Sequence, residues 1–351
     1  MPYCAKCGAK LDEGAKFCHL CGASVGVTTV TRYEVRRSRA PFYMSAIILI
    51  AILVTVLIVG ALVFLPIRAV NLASSQSAPA QVGVDTLNLD FGADIAHVNV
   101  MFKNLTSTLV ILNVSAKGGV GIFAPANPIN ITFSHNVSGN AMIVTSRVYR
   151  TGGWNWLFGL TVVCDLYIDV DVILGLSVRT SIGKIAVNTT DGVALDSLYL
   201  ETTTGGIEAK LEQNVRLDGD VFIRTTTGGV DFTWHDVKAA NNVSVGIRTT
   251  MGGIGVGIVQ NDKLPANVTM TVEATIGGID FAVAIHDGVG AWIESSTSVG
   301  GISVDKTGFS GAKSPIQSDN CPTSSNFIAS LKTTTGGINL NAVYSSESSI
   351  A

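Results

Sequence analysis

From about residue 176 to residue 345 apolar and polar side chains alternate, and paired glycines interrupt the alternation at near-regular intervals. Aligned on the first glycine of each pair, the copies fall at Gly205, Gly228, Gly252, Gly277, Gly300 and Gly336. Upstream of the pair the apolar positions are Leu198/Leu200, Val221/Ile223, Val245/Ile247 and Met270/Val272. Downstream they are Ile207/Ala209, Val230/Phe232, Ile254/Val256, Ile279/Phe281, Ile302/Val304 and Ile338/Leu340. Period-two patterning predicts half-buried strands. The apolar parity switches across the glycines. A straight strand cannot switch and keep one face buried, so each Gly-Gly predicts a bend.

The copies are spaced by 23, 24, 25, 23 and 36 residues. A degenerate copy, TSIGKI, puts Gly183 another 22 residues upstream, with Lys184 replacing the second glycine. Periods in this range mark an array whose units bury their apolar faces only against neighbours. Two bends fit: a two-residue Gly-Gly hairpin turn, or a corner between successive strands of a coil. Near-identical residues at one phase favour the coil, because equivalent positions then stack. Thr180, Thr202, Thr225, Thr249, Thr297 and Thr333, three residues ahead of each glycine, would form an internal ladder. The motif reads as scaffolding. Residues 85–178 are less regular but still strand-like, in segments such as TLVILNV and NITFSHNV. The predicted fold class is mostly β, an exported β-solenoid or β-helix-like repeat domain.

A different pattern fills Ala40–Ile67, which contains no charged residue. It exceeds the roughly 20 apolar residues that cross a bilayer and the roughly 7–15 of a signal peptide's apolar core. It therefore predicts one uncleaved transmembrane α-helix. Arg32, Arg36, Arg37 and Arg39 precede the run and only Arg68 follows closely, which keeps the N-terminus cytoplasmic and exports the C-terminal part. The basic cluster also suits anionic lipid. Charged residues make up only 14% of the chain, well below the usual quarter. The net charge of −3 divides into +4 for residues 1–40 and −7 for the rest. No basic face remains outside for nucleic acid.

The head reads CAKCGAKLDEGAKFCHLC from Cys4 to Cys21. Cys4, Cys7, Cys18 and Cys21 form two CxxC pairs, and a hairpin between the pairs can bring four thiolates together. Soft thiolates in a tetrahedral set select zinc. Gly8 and Gly22 follow the pairs, where a chain curling round a metal needs positive φ. A closed Cys₄ site leaves no open coordination position, so Zn²⁺ is predicted to be structural and His19 a bystander. The segment resembles the short N-terminal zinc ribbons of many archaeal and bacterial membrane proteins, matching their CxxCGA…GAKFCxxCG phrasing. Zinc ribbons also bind nucleic acid in transcription proteins, but this one has few basic residues of its own and is tethered close to the predicted span, so protein docking is its expected role.

Residues from about 160 to 345 resemble the adhesin-like β-repeat family, related to the C-terminal domain of bacterial cell-envelope stress regulators. The resemblance implies a surface-exposed, non-enzymatic β-solenoid and carries over no catalytic position. Glu201, Arg224, Arg248 and Glu273 share one outward phase; they read as charges pairing between neighbouring coils, or as the groove of a polysaccharide-active β-helix. Phosphate-binding glycine loops lead into helices, whereas here strands follow. Seven sequons, at Asn104, Asn113, Asn130, Asn136, Asn188, Asn242 and Asn267, all follow the predicted span. Cys164 and Cys321 lie in the exported part, where a disulfide is permitted and burial of a free thiol is equally ordinary.

The expected organisation is a zinc ribbon at 1–24, a basic juxtamembrane segment at 25–41, a transmembrane helix at 42–67, a linker at 68–84 and the β-repeat domain at 85–351. The leading functional expectation is a single-pass cell-membrane protein, not an enzyme, with an adhesin-like ectodomain. Its expected partners are membrane lipid, a cytoplasmic protein at the zinc ribbon and a cell-surface glycan or protein outside, with no nucleic acid. The alternative is an envelope-stress sensor signalling through the zinc ribbon; a polysaccharide-active enzyme comes third.

Overall fold

The computed structural model describes residues 2–26, 40–64, 68–121, 125–151, 159–286 and 288–345. Arg32, Arg36, Arg37 and Arg39 lie outside the described residues. The chain forms two compact units, Met1–Ile58 and Val59–Ala351.

In the second unit, each coil of the regular repeats lays one strand in a 14-stranded sheet, turns at a glycine corner and lays the next in an 11-stranded sheet. Ala194–Thr204, Gly205–Gly206 and Ile207–Leu211 make one such coil. Val221–Thr227 and Val230–His235 make the next, parallel and in register, with Thr202 opposite Thr225 and Ile207 opposite Val230. The bend is thus a coil corner and not a hairpin turn. Inward side chains of both sheets fill one continuous core, including Leu200, Ile223, Ile247, Phe232 and Phe281, all at most 1% exposed. Trp234 is fully buried, and its Nε1–H donates to Gln260 Oε1 at 2.8 Å, so a polar pair is satisfied inside the stack.

The corner explains the repeated letters. Gly228 has φ +146°, and a Cβ placed on it would stand 1.9 Å from the carbonyl oxygen of Gly205 in the preceding coil. No side chain fits there. The second glycine is less constrained: a Cβ at Gly229 would lie 3.4 Å from Gly253 O, which accounts for Lys184 at the equivalent place in the first corner. The threonines ahead of the corner are buried, Thr297 only partly, and from Thr202 onward each hydroxyl donates to the neighbouring coil's glycine carbonyl, whereas Thr180 donates to Ile182 O in its own strand. Thr225 Oγ1 reaches Gly205 O at 2.9 Å, Thr249 reaches Gly228 O at 3.0 Å and Thr333 reaches Gly277 O at 2.9 Å. Ala274 holds this position in one coil, so the Gly252 carbonyl lacks that hydroxyl.

At both ends the order of coils in space departs from the order in sequence. The last coil, Asn326–Thr335 with Ile338–Ser345, inserts between those of Gly277 and Gly300. Thr86–Ile95 with His97–Lys103 likewise inserts between Ile173–Ile182 with Ile185–Asn188 and the outermost pair, Ala141–Arg150 and Leu160–Asp169. The extra residues before Gly336 form short antiparallel strands, Phe309–Ser310 and Ile316–Ser318, beside Gly290–Val299. At the other end Ile129–Ser138, Thr108–Val120 and Arg68–Pro79 cap the stack, again antiparallel. Such caps cover edges that would otherwise recruit further strands. The remaining edge, Ile302–Thr307, carries Lys306 at a phase where other coils place Leu211, Trp234 and Ile258. Its Nζ donates to Gly311 O, and a charge at an inward position discourages strand addition.

One expectation needs correction. Residues 68–79 are a strand and not part of a linker. Their Ser-rich composition masks an alternation in which Val70, Leu72 and Ala78 face the core. Cys164 and Cys321 are both free. Cys164 lies in the coil at one end of the stack, and Cys321 follows the antiparallel strands at the other. Eight strand spacings across the 11-stranded sheet place those ends about 38 Å apart.

Ala40–Phe64 is an α-helix of 25 residues with no acidic residue in its first turn and no basic one in its last. Its side chains are described for residues 45–60 only, and among the described residues no helix is long and apolar enough to cross a membrane.

Gly228→Ala should lower the unfolding free energy of the solenoid by at least about 3 kcal/mol, read by denaturant unfolding. Ala274→Thr should raise it by about 1 kcal/mol through the missing hydrogen bond. A neutral Gly228→Ala would show that the corners are not stacked as described.

Candidate functional site

The head is built from two matching knuckles. In the first, Cys4 N–H donates to Ala9 O at 2.8 Å and Gly8 N–H to Cys4 O at 2.9 Å. In the second, Cys18 N–H donates to Ala23 O and Gly22 N–H to Cys18 O, both at 2.8 Å. Gly8 and Gly22 take φ values of 75° and 70°, which glycine adopts without steric cost. These turns bring the thiols together. Cys4 Sγ lies 3.6 Å from Cys21 Sγ, Cys7 Sγ lies 3.6 Å from Cys18 Sγ, and all four fall within 4.8 Å of one another. Tetrahedral coordination at about 2.3 Å per bond requires sulfur separations of about 3.8 Å. The geometry fits Zn²⁺.

The backbone N–H groups of Lys6 and Cys7 draw the Cys4 thiol down to about 6, toward the thiolate a metal binds. Beneath the knuckles, among the described residues, only Cys4, Leu11 and Cys18 are buried, with Ala9, Ala23 and Val25 packed against them. So small a core cannot hold a fold by itself, and the metal supplies the remainder. His19 is exposed and outside the cluster. All four thiols are spent on the metal, which leaves no coordination position for a substrate.

On the solenoid, Glu201, Arg224, Arg248 and Glu273 stand side by side in one row, as their common phase requires. Arg248 meets Glu273 at 3.0 Å and Arg224 approaches Glu201 at 4.0 Å. The row continues through Arg179, which with Arg147 grips Asp90 at 3.1 and 2.5 Å. These contacts lower the Asp90 carboxyl below its ordinary range against the opposing effect of burial. On the other sheet Lys184 and Lys210 flank Glu208 at 2.6 and 2.7 Å and lower it to about 2. Pairs this exposed contribute little to stability, but they fix which charge sits opposite which. The Glu208 contribution is present above the ordinary carboxylate pKa and is lost as pH falls toward about 2.

A zinc-ribbon domain family model matches residues 3–25. No curated protein matches the chain. Among solved structures, a candidate cell adhesion protein from Clostridium sporogenes is similar, with TM-score 0.37 and 12% identity, over 78% of this chain and 100% of that one. A candidate adhesin from Bacteroides fragilis follows, with TM-score 0.31 and 11% identity, over 79% and 98%. Another from Parabacteroides merdae gives TM-score 0.27 and 8% identity, over 77% and 95%. Likenesses this distant say nothing about what the present chain binds.

Metal analysis should find one zinc per chain. Replacing Cys4 and Cys18 together by Ser, or adding a strong chelator, should unfold residues 3–25 while the solenoid's denaturant transition stays in place. Full zinc content in the double variant would contradict the Cys₄ assignment.

Proposed function

We propose that the chain is a single-pass membrane protein that displays a non-enzymatic, adhesin-like β-solenoid outside the cell. Its zinc ribbon stands in the cytoplasm as a structural module for docking a protein. The observation that carries this reading is the uncharged run Ala40–Ile67, which exceeds the roughly 20 apolar residues that cross a bilayer. Its described residues are apolar on every side, and Ile47, Ile50, Leu53, Leu57 and Ile58 are all more than half exposed. Water does not tolerate such a surface, and lipid does.

Flanking charge supports the orientation, with Arg32, Arg36, Arg37 and Arg39 ahead of the helix. The sequons all follow it. A binding role for the solenoid is supported by its construction: a rigid, evenly ruled surface whose charged row is occupied by ion pairs.

Intact cells treated with a membrane-impermeant maleimide test the topology. Thr226→Cys, exposed on the solenoid, should label, and Ser24→Cys in the head should label only after permeabilisation. The reverse pattern would overturn the topology. Detergent-solubilised full chain should be retained on cell-envelope material, and no retention would end the adhesive reading.

A further inference from the structure

One stretch of the 11-stranded sheet is bare on its outer face. Strands Ile254–Gln260 and Ile279–His286 carry Gly255, Gly257, Ala282 and Ala284 at outward positions. Register sets Asp231, Gly255, Asp280 and Asn339 in one row, and Thr233, Gly257, Ala282 and Asn341 in the next. The absent side chains leave an open trough of 560 Å³. It continues into a more apolar section of 380 Å³ lined by Val259, Ala284 and Val343. Two bare strands at about 4.8 Å spacing give a floor roughly 10 Å across, the width of one extended polypeptide.

Its charge is one-sided. Asp231, Asp280 and Asp305 line the trough and no lysine or arginine does. On the rest of the solenoid Asp90, Glu201, Glu208 and Glu273 each face a cation within 4.0 Å. Asp280 Oδ1 accepts a hydrogen bond from Asn339 Nδ2 at 2.7 Å, and among the described residues Asp231 and Asp305 enter no ion pair. Lys210 feels the charge of Asp231, but Glu208 holds it at 2.7 Å. The rings that border the trough, Phe232 and Phe281, are 1% exposed, so no aromatic face is offered for a sugar to stack on. None of the seven sequons lies on the five strands that frame it, so attached glycans would leave this face open.

We propose that the trough is the ligand-binding surface of the solenoid and takes an extended basic polypeptide segment, whose lysines or arginines lie against Asp231, Asp280 and Asp305. The inference rests on the reading of the chain as a binding module and names that module's surface and ligand chemistry. Neighbouring carboxylates without cations raise the local concentration of a cationic partner, and the glycine and alanine floor admits its backbone.

The test is fluorescence anisotropy of labelled hexalysine against the full chain in non-ionic detergent, with hexaserine and a chito-oligosaccharide as comparators. Hexalysine should bind saturably and more weakly as salt rises. Replacing Asp231, Asp280 and Asp305 together by Asn should weaken it roughly tenfold or more. Gly257→Leu should weaken it similarly through shape alone, because a Cβ at Gly257 meets nothing within 4 Å and the variant keeps its fold. Undiminished hexalysine binding to Gly257→Leu would show diffuse surface attraction and overturn the trough. Preference for the oligosaccharide, or no peptide binding, would overturn it too. The broader reading fails separately. If Gly257→Leu adheres to envelope material as strongly as the unaltered chain, adhesion stands and the trough falls; an unaltered chain that adheres to nothing loses both.

Discussion

Every glycine corner of the solenoid turns on one close approach: a carbonyl oxygen of the neighbouring coil, that of Ala96 at Gly183 and of a glycine at the others, occupies the space a Cβ would need. That distance is 1.8–2.0 Å from Gly183 through Gly336, so the position admits no other residue. Once the corner is fixed, the strands on either side have no freedom of register, because slipping by one residue would drive a side chain into a carbonyl. The buried threonine then finds the same carbonyl within 2.9–3.2 Å along the stack. Core packing and the pairing of outward charges are consequences of this alignment. Isolated coils would bury too little to persist, and the stack folds as a neighbour-dependent array.

Much of this was legible in the chain itself. The parity switch across Gly-Gly announced a bend, and recurrence at one phase identified the threonines as a ladder. The CxxC pairs announced the metal, and the common phase of Glu201, Arg224, Arg248 and Glu273 announced the charged row. Other features were not legible, for physical reasons. Insertion of the Gly336 coil between two earlier ones leaves no mark in its own residues, since every coil presents the same surfaces to a neighbour. Arg68–Pro79 was obscured because an edge strand buries only one of its faces and that only partly. The trough was invisible because it consists of side chains that are missing, at positions such as Gly255 and Gly257.

The two units draw stability from different sources. In the head, four thiolates replace the core that so few residues cannot assemble. In the solenoid, hydrogen-bonded stacking and a continuous apolar interior do the work. A redox or chelating challenge therefore acts on the first alone, and a change at a glycine corner acts on the second. On the proposed topology this division suits the compartments, with thiols in a reducing interior and a thiol-independent solenoid outside.

The stacked corner is most directly tested by native-state hydrogen exchange of its glycine amides. Gly205 N–H donates to Thr227 O at 2.8 Å, Gly228 N–H to Met251 O at 2.8 Å and Gly252 N–H to Ile276 O at 2.9 Å. If these bonds hold coil to coil, the corner amides exchange only through cooperative opening of the stack, with protection within about 1 kcal/mol of the adjoining core strands. Rapid exchange of those amides while the strands stay protected would mean that the glycines form solvent-facing turns and that the stack is held in some other way.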